Sequence, residues 1–532
     1  MKLKLTALII VIAAPLQAQQ LLHQPTDASP PTTIPAPLLN EIDDPFFKIA
    51  IQSEPQPRSL TAVINTLLEG GRSDFQSFVV GEQIGRSALS TECGPSNRRM
   101  VISFNGTHAP SGIVLDNNVF FSVFMTPDNP VGDIEVVAWD ATHGTYNYYK
   151  LEGGTWRFRN SSSELDTASS SHLSQGCLSC HVSGGPVMKE FTFPWNHWHS
   201  LPNTFEALYL FPGVQSWPIA NTNFLGNRLN GAQILEVSIQ SSLQRFADAD
   251  IRDHIDTASD GSVLVSDLPN LIDSLFQPTE LNLGSSNKTS GLDEGGLTDR
   301  ATGALNIPDS FFVNIFQMRD IDLPVFGGLG LVTNVFTPGN LGLSLEEYEE
   351  LLSDNSIGTE CMPGRDTLFP WFGPEPSEFD RRMVERLNRR GVVDDAFIAA
   401  VLAIDVETPL FSQERASLLR HVPQEVRSPS LSQLPDTLRA VVIASLEAEA
   451  NRSAAEDDFL TLLKNPDPVT ELDTRVRGFL ARTQEQLADP AARQTHLQQL
   501  FSRLLENREV FQTNPISAPL NEFTGLIPKP AN

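Results

Sequence analysis

Ile134-Glu-Val-Val-Ala-Trp139, Tyr146-Asn-Tyr-Tyr-Lys-Leu151, Glu152-Gly153-Gly154 and Thr155-Trp-Arg-Phe-Arg159 stand close together in the first third of this 532-residue chain. Each run of five or six residues is rich in β-branched and aromatic side chains, which suit a pleated, half-buried surface. Glu152-Gly153-Gly154 leaves room only for a tight turn, so the last two runs are expected to form a hairpin. Working upstream, Phe75–Val80, Met100–Phe104 and Val119–Met125 repeat the pattern, each bounded by Gly, Asn, Asp or Pro. A small antiparallel β-domain is the expectation for residues 75–158.

The flanks read differently. Pro25, Pro30, Pro31, Pro35, Pro37, Pro45, Pro55 and Pro57 mark residues 19–58 as a proline-rich spacer, extended and either wrapped on the surface or hanging free. A helix is expected over Ser59–Glu69, stopped by Gly70-Gly71. After the β-domain a Ser-rich link, Ser161–Ser174, leads on. Residues 201–345 are mixed, with a helix around Ile234–Arg245 and a long loop at Gly284–Gly303. Residues 346–532 are helical. Ser377 with Asp380 opens a helix carrying Phe379, Met383 and Leu387 on one face until Gly391. Phe397, Val401 and Ile404 mark another, closed by Pro409. Ser453 with Glu456 opens a third, and Asp489-Pro490 a fourth, with proline at its first position. The fold class is α+β: a β-rich domain over 59–200, then a mainly helical C-terminal region.

Composition narrows the function. Hydrophobic residues make up 40% and charged residues 19%, the proportions of a globular protein. With 65 acidic against 37 basic residues, the net charge is −28, so nucleic acid phosphates and anionic lipid surfaces would repel the chain. Lys2 and Lys4 precede the apolar run Leu5–Ala14, which is too short to span a bilayer and reads as an export signal over residues 1–18, cleaved after Ala18. A periplasmic or secreted protein without a membrane span is expected.

Immediately after the β-domain comes Cys177-Leu-Ser-Cys180-His181, in a chain with only 4 cysteines and 10 histidines. Two thiols three positions apart can each add across a haem vinyl group, and the next histidine then falls beneath the iron as proximal ligand. One covalent haem c is therefore expected, held by Cys177 and Cys180, with His181 on the metal. Zinc would need a second ligand pair beyond His197 or His199, and a redox dithiol would sit near a βαβ pattern. The distal ligand stays open among His199, His197, Met188, Met318 and Met362, or the sixth position is vacant. Phe193-Pro-Trp-Asn-His-Trp-His199 offers an apolar wall. In an oxidising compartment Cys93 and Cys361 allow a single disulfide.

Two weaker patterns remain. Asp256, Asp260, Gly261 and Asp267 have the partial spacing of a calcium loop, though a turn before a helix fits better. Asp43-Asp44 and Asp394-Asp395 read as helix starts or solvated turns. No Ser/His/Asp signature, phosphate-cradling glycine loop or basic aromatic patch is evident.

The attachment motif resembles the cytochrome c superfamily. More locally, residues 119–181 resemble the cytochrome P460 family through Gly154-Thr-Trp156-Arg-Phe158 followed by Cys177–His181. That resemblance implies an open iron site acting on small nitrogen compounds and a lysine cross-linked to haem, with Lys150 upstream of the matching strand. Three roles follow: an electron carrier with a redox partner, a haem enzyme acting on peroxide or a small nitrogen compound, and a sensory or binding module.

Overall fold

The computed structural model describes residues 21–26, 28–70, 75–86, 93–105, 117–125, 133–164, 176–179, 181, 184–186, 229–277, 281–283, 305–306, 342–343, 347, 350, 354, 374–376, 378–408, 411–499 and 502. The architecture is α+β. Six strands make an antiparallel meander: β3 (Phe75–Arg86), β4 (Cys93–Asn105), β5 (Asn117–Met125), β6 (Ile134–Asp140), β7 (Thr145–Glu152) and β8 (Thr155–Ser161). All six runs seen in the sequence are strands. Gly153 and Gly154 close the β7–β8 hairpin with φ of 56° and 74°, a pair of left-handed residues that glycine adopts without steric cost.

Three short strands extend the sheet: β1 (Leu22–His23), β2 (Thr32–Thr33) and β9 (Leu229–Gly231). The spatial order is β2-β1-β8-β7-β6-β5-β4-β3-β9. Strand β1 runs parallel to β8, and β9 parallel to β3.

Alternation along the strands sends neighbouring residues to two cores. One face buries Phe104, Phe121, Tyr149, Trp156 and Phe158 under the N-terminal segment. There the proline-rich stretch wraps the sheet and is built into it. Helix α1 (Ala36–Glu41) leads to a π-helical turn at Phe47–Ile51 and to α2 (Leu60–Glu69), whose N-cap Ser59 accepts from the Ala62 amide. Phe46 is fully buried, with ring centroids 5.7, 5.1 and 5.0 Å from Phe121, Tyr149 and Trp156.

The other face carries Phe78, Val101, Phe120, Trp139, Tyr146 and Tyr148. Helix α3 (Ala232–Asp253) covers it through Leu235, Ile239, Leu243 and Phe246, and this core continues into the C-terminal helices. These are α4 (Glu378–Arg389), α5 (Asp395–Leu402), α6 (Leu434–Ala448), α7 (Ala454–Lys464) and α8 (Pro468–Ala488). The expected face of α4, Phe379, Met383 and Leu387, is buried, and Gly391 follows with φ 71°. Asp394 caps α5 by accepting from the Phe397 amide at 2.8 Å. Ser453 and Glu456 form a reciprocal capping box on α7. The last expected helix starts later than the sequence suggests. Pro490 lies in a turn that Asp489 closes onto the Ala491 amide, and helix follows from Arg493.

The calcium-like stretch is a hairpin. Strand β10 (Ile255–Thr257) pairs with β11 (Val263–Ser266), which also pairs with β12 (Glu425–Ser428). Asp260 closes the tip, accepting from the Ser262 amide and hydroxyl at 2.9 and 2.7 Å. The helix expected next is a single turn, Leu268–Leu271. Among the described residues no group of three or more His, Cys, Asp or Glu is arranged to hold a metal, and no helix is long and apolar enough to cross a membrane.

Candidate haem-attachment site

The site is built on one irregularity in the β7–β8 pairing. Tyr149 faces Phe158, but Tyr148 faces Asn160, so Arg159 is an extra residue on β8. A bulge of this kind shifts the alternation by one. Trp156 and Phe158 point into the N-terminal core, whereas Asn160 turns to the opposite face, beside Tyr148. Arg159 itself is buried, donating to the Gln24 carbonyl at 3.1 Å, with Glu152 3.7 Å away.

The attachment motif lies against this Tyr148–Asn160 pair. Gly176–Ser179 is one turn of 3-10 helix, extended by a bond from the His181 amide to the Cys177 carbonyl at 2.9 Å. At its start, the Cys177 amide donates to Asn160 Oδ1 at 3.1 Å. Gly176 has φ 59°, and a Cβ there would fall 1.9 Å from the Pro25 carbonyl oxygen and 2.5 Å from Asn160 Oδ1. Only glycine fits. Leu178 is buried in the larger core, while Cys177 is half-buried against it.

At the other end, the chain folds back on His181. The Gly184 amide donates to the His181 carbonyl at 2.8 Å, and Gly184 has φ 73°. This turn brings the Gly185 carbonyl 3.0 Å from His181 Nδ1. A carbonyl only accepts, so in this contact Nδ1 is the donor. The Tyr148 hydroxyl is 2.6 Å from the Gly184 carbonyl and 3.1 Å from that of Gly185, and the phenol ring lies 5.1 Å from the imidazole, tilted by 43°. One cross-strand pair thus holds both ends of the motif: Asn160 the amide of Cys177, Tyr148 the turn beyond His181.

This donor set fits a c-type haem. The Cys177 thiol and the His181 imidazole lie four residues apart on one turn, and Nδ1 meets a backbone carbonyl, the partner that a metal-ligating histidine commonly takes on its second nitrogen. Cys180, Met188, His197, His199, Met318, Met362 and Cys361 lie outside the described residues. So do the export signal, most of the Ser-rich link and the Gly284–Gly303 stretch. Lys150 is on the same sheet face as Tyr148, two residues along β7, with its ammonium 3.5 Å from Asp133. Nothing in the local pattern marks Asn160, Tyr148 or Pro25 as partners of the motif. Each joins it through strand pairing that local pattern does not encode.

Two other polar clusters stand apart. Behind the sheet, buried Asp44 accepts from the Asn147 amide group at 2.9 Å, the Phe47 amide at 2.8 Å and the Tyr149 hydroxyl. Burial pushes its carboxyl up, and burial together with the Asp44 charge pushes the Tyr149 phenol up. In the helical region, His421 Nδ1 meets Ser445 Oγ at 3.1 Å and Nε2 meets Glu456 Oε1 at 2.6 Å, which Arg420 also contacts. The acid of this Ser-His-Glu group is also the capping glutamate of α7. Its position ties the 418–421 turn to two helices.

No family model matches the chain, and no curated protein or solved structure is similar to it.

Proposed function

We propose that this chain is an exported mono-haem c-type cytochrome, acting in the periplasm and exchanging single electrons with a redox partner. The observation that carries the reading is the Gly185 carbonyl 3.0 Å from His181 Nδ1, at the histidine of a Cys-x-x-Cys-His sequence. Cys177 and Cys180 would hold the haem as thioethers, each thiol hydrogen ending on the carbon beside the new C–S bond. Bound haem would supply a one-electron iron couple. The chain's part would be to hold the porphyrin through Cys177 and Cys180, orient the His181 imidazole and keep bulk water from the turn through Leu178 and Tyr148. An acidic surface suits a basic partner protein.

A second reading is a haem enzyme with an open distal position, similar to the P460 family. It is favoured by Lys150 standing on the face that bears the motif.

Expression with its own leader in a host competent in cytochrome maturation tests both. The expected product is coloured, recovered from the periplasm, and carries one haem on the peptide spanning 170–185. Replacing Cys177 and Cys180 with Ala abolishes the attachment. Colourless protein of unmodified mass overturns the proposal. Ready carbon monoxide binding by the reduced protein selects the enzyme reading over a six-coordinate carrier.

A further inference from the structure

We propose that Tyr148 is a positioning residue that sets the reduction potential of the haem by aiming the Gly185 carbonyl at His181. The inference rests on the cytochrome reading and assigns a residue to that site.

The geometry points to the hydroxyl rather than the ring. A phenol has one hydrogen to donate, and the 2.6 Å contact places it chiefly on the Gly184 carbonyl, with Gly185 at 3.1 Å as the weaker acceptor. Gly184 is left-handed, a conformation open to glycine, and its own backbone has little stiffness, while Pro186 narrows the range of Gly185. Two of the bonds that hold the turn are the Gly184 amide on the His181 carbonyl and the Tyr148 hydroxyl on the Gly184 carbonyl. Tyr148 is 1% exposed and sits mid-strand, opposite Asn160, which anchors Cys177. The sheet thereby acts as the rigid body against which the imidazole is aligned.

A hydrogen bond from Nδ1 to a carbonyl makes the imidazole a stronger donor to iron, which favours the ferric state. If the hydroxyl is removed, the glycine turn relaxes, the Nδ1 bond lengthens and the ferrous state gains. Losing most of one hydrogen bond corresponds to about a threefold to tenfold shift in the ferric–ferrous equilibrium. At 59 mV per tenfold for one electron, the potential rises by about 30 to 59 mV.

The test is Tyr148→Phe, which keeps the ring against His181 and removes only the oxygen. Tyr149→Phe is the control: it deletes a buried hydroxyl from the next residue, on the other face, where it serves Asp44. Expected are full haem attachment in both variants and a raised potential in Tyr148→Phe alone. A second readout needs no haem. In the full chain with Cys177→Ala and Cys180→Ala, ¹⁵N NMR of His181, assigned through His181→Ala, should show the Nδ1–H tautomer, and adding Tyr148→Phe should mix the two tautomers. An unchanged potential with an unchanged tautomer, or equal shifts from both tyrosines, overturns the role of Tyr148. Absence of haem from the wild-type protein sinks the cytochrome reading instead, and the tautomer then decides the positioning role alone.

Discussion

Gly176→Ala should unseat the attachment turn. Alanine at φ 59° costs about 1 to 2 kcal/mol relative to glycine. The larger effect is steric. The new Cβ would lie 1.9 Å from the Pro25 carbonyl oxygen, a backbone atom in the segment that continues β1, so no side-chain rotation relieves it. The turn must lift from the sheet, giving up the Cys177–Asn160 hydrogen bond, about 0.5 to 1.5 kcal/mol, and much of the burial of Leu178, about 1.5 to 3 kcal/mol. The total is about 3 to 6 kcal/mol, a large part of the stability of a typical fold. Gly153→Ala isolates the conformational part, since Gly153 has φ 56° and nothing within 4 Å of its Cβ position. Urea unfolding of the two variants gives the difference, and haem per mole of protein after co-expression with maturation factors gives its functional effect. Equal destabilisation of the two variants, or full haem loading of Gly176→Ala, would refute the packing argument.

Phe46→Ala should cost about 3 to 5 kcal/mol in urea unfolding, because the ring is fully buried among Phe121, Tyr149 and Trp156; a loss below about 1 kcal/mol would mean the N-terminal segment is not part of the core. Glu456 should govern an acid transition. Burial raises its carboxyl, but the Ser453 amide, His421 and Arg420 outweigh that and hold it at about 2, against 4.5 for the ordinary group. A lowered folded value means its stabilisation is complete above pH 4.5 and is lost as pH falls from there towards 2. Unfolding curves across that range should flatten in Glu456→Gln; a wild-type slope in the variant would exclude this carboxylate as the cause.

The parts legible in the sequence are those set by neighbours in sequence. Alternation of apolar residues located all six long strands, the glycine pair located the β7–β8 hairpin, and Ser59, Asp394 and Ser453 announced helix starts because capping is a contact over three residues. The Cys-x-x-Cys-His pattern was equally plain, being carried by five consecutive positions. Its seat was not. Arg159 reads as one more strand residue until β7 is laid beside it and the register slips. Tyr148 looks no different from Tyr146 or Tyr149, and Pro25 was one proline among eight in an apparent spacer. Strands as short as β1 and β9 carry no periodicity to detect, and they exist only because a longer partner is present.

The parallel pairing of β1 with β8 also bears on the order in which the molecule is assembled. Residues 22–23 are made early, but their partners, Arg157 and Phe158, follow only after five strands of the meander. Ends so far apart meet slowly, because closing a long stretch of chain costs entropy before any contact is gained. The close approach of Pro25 to Gly176 depends on that long-range pairing. The wall that closes over the turn bearing Cys177 is thus drawn from the opposite end of the meander, and the seat of that thiol exists only once the whole sheet is in register.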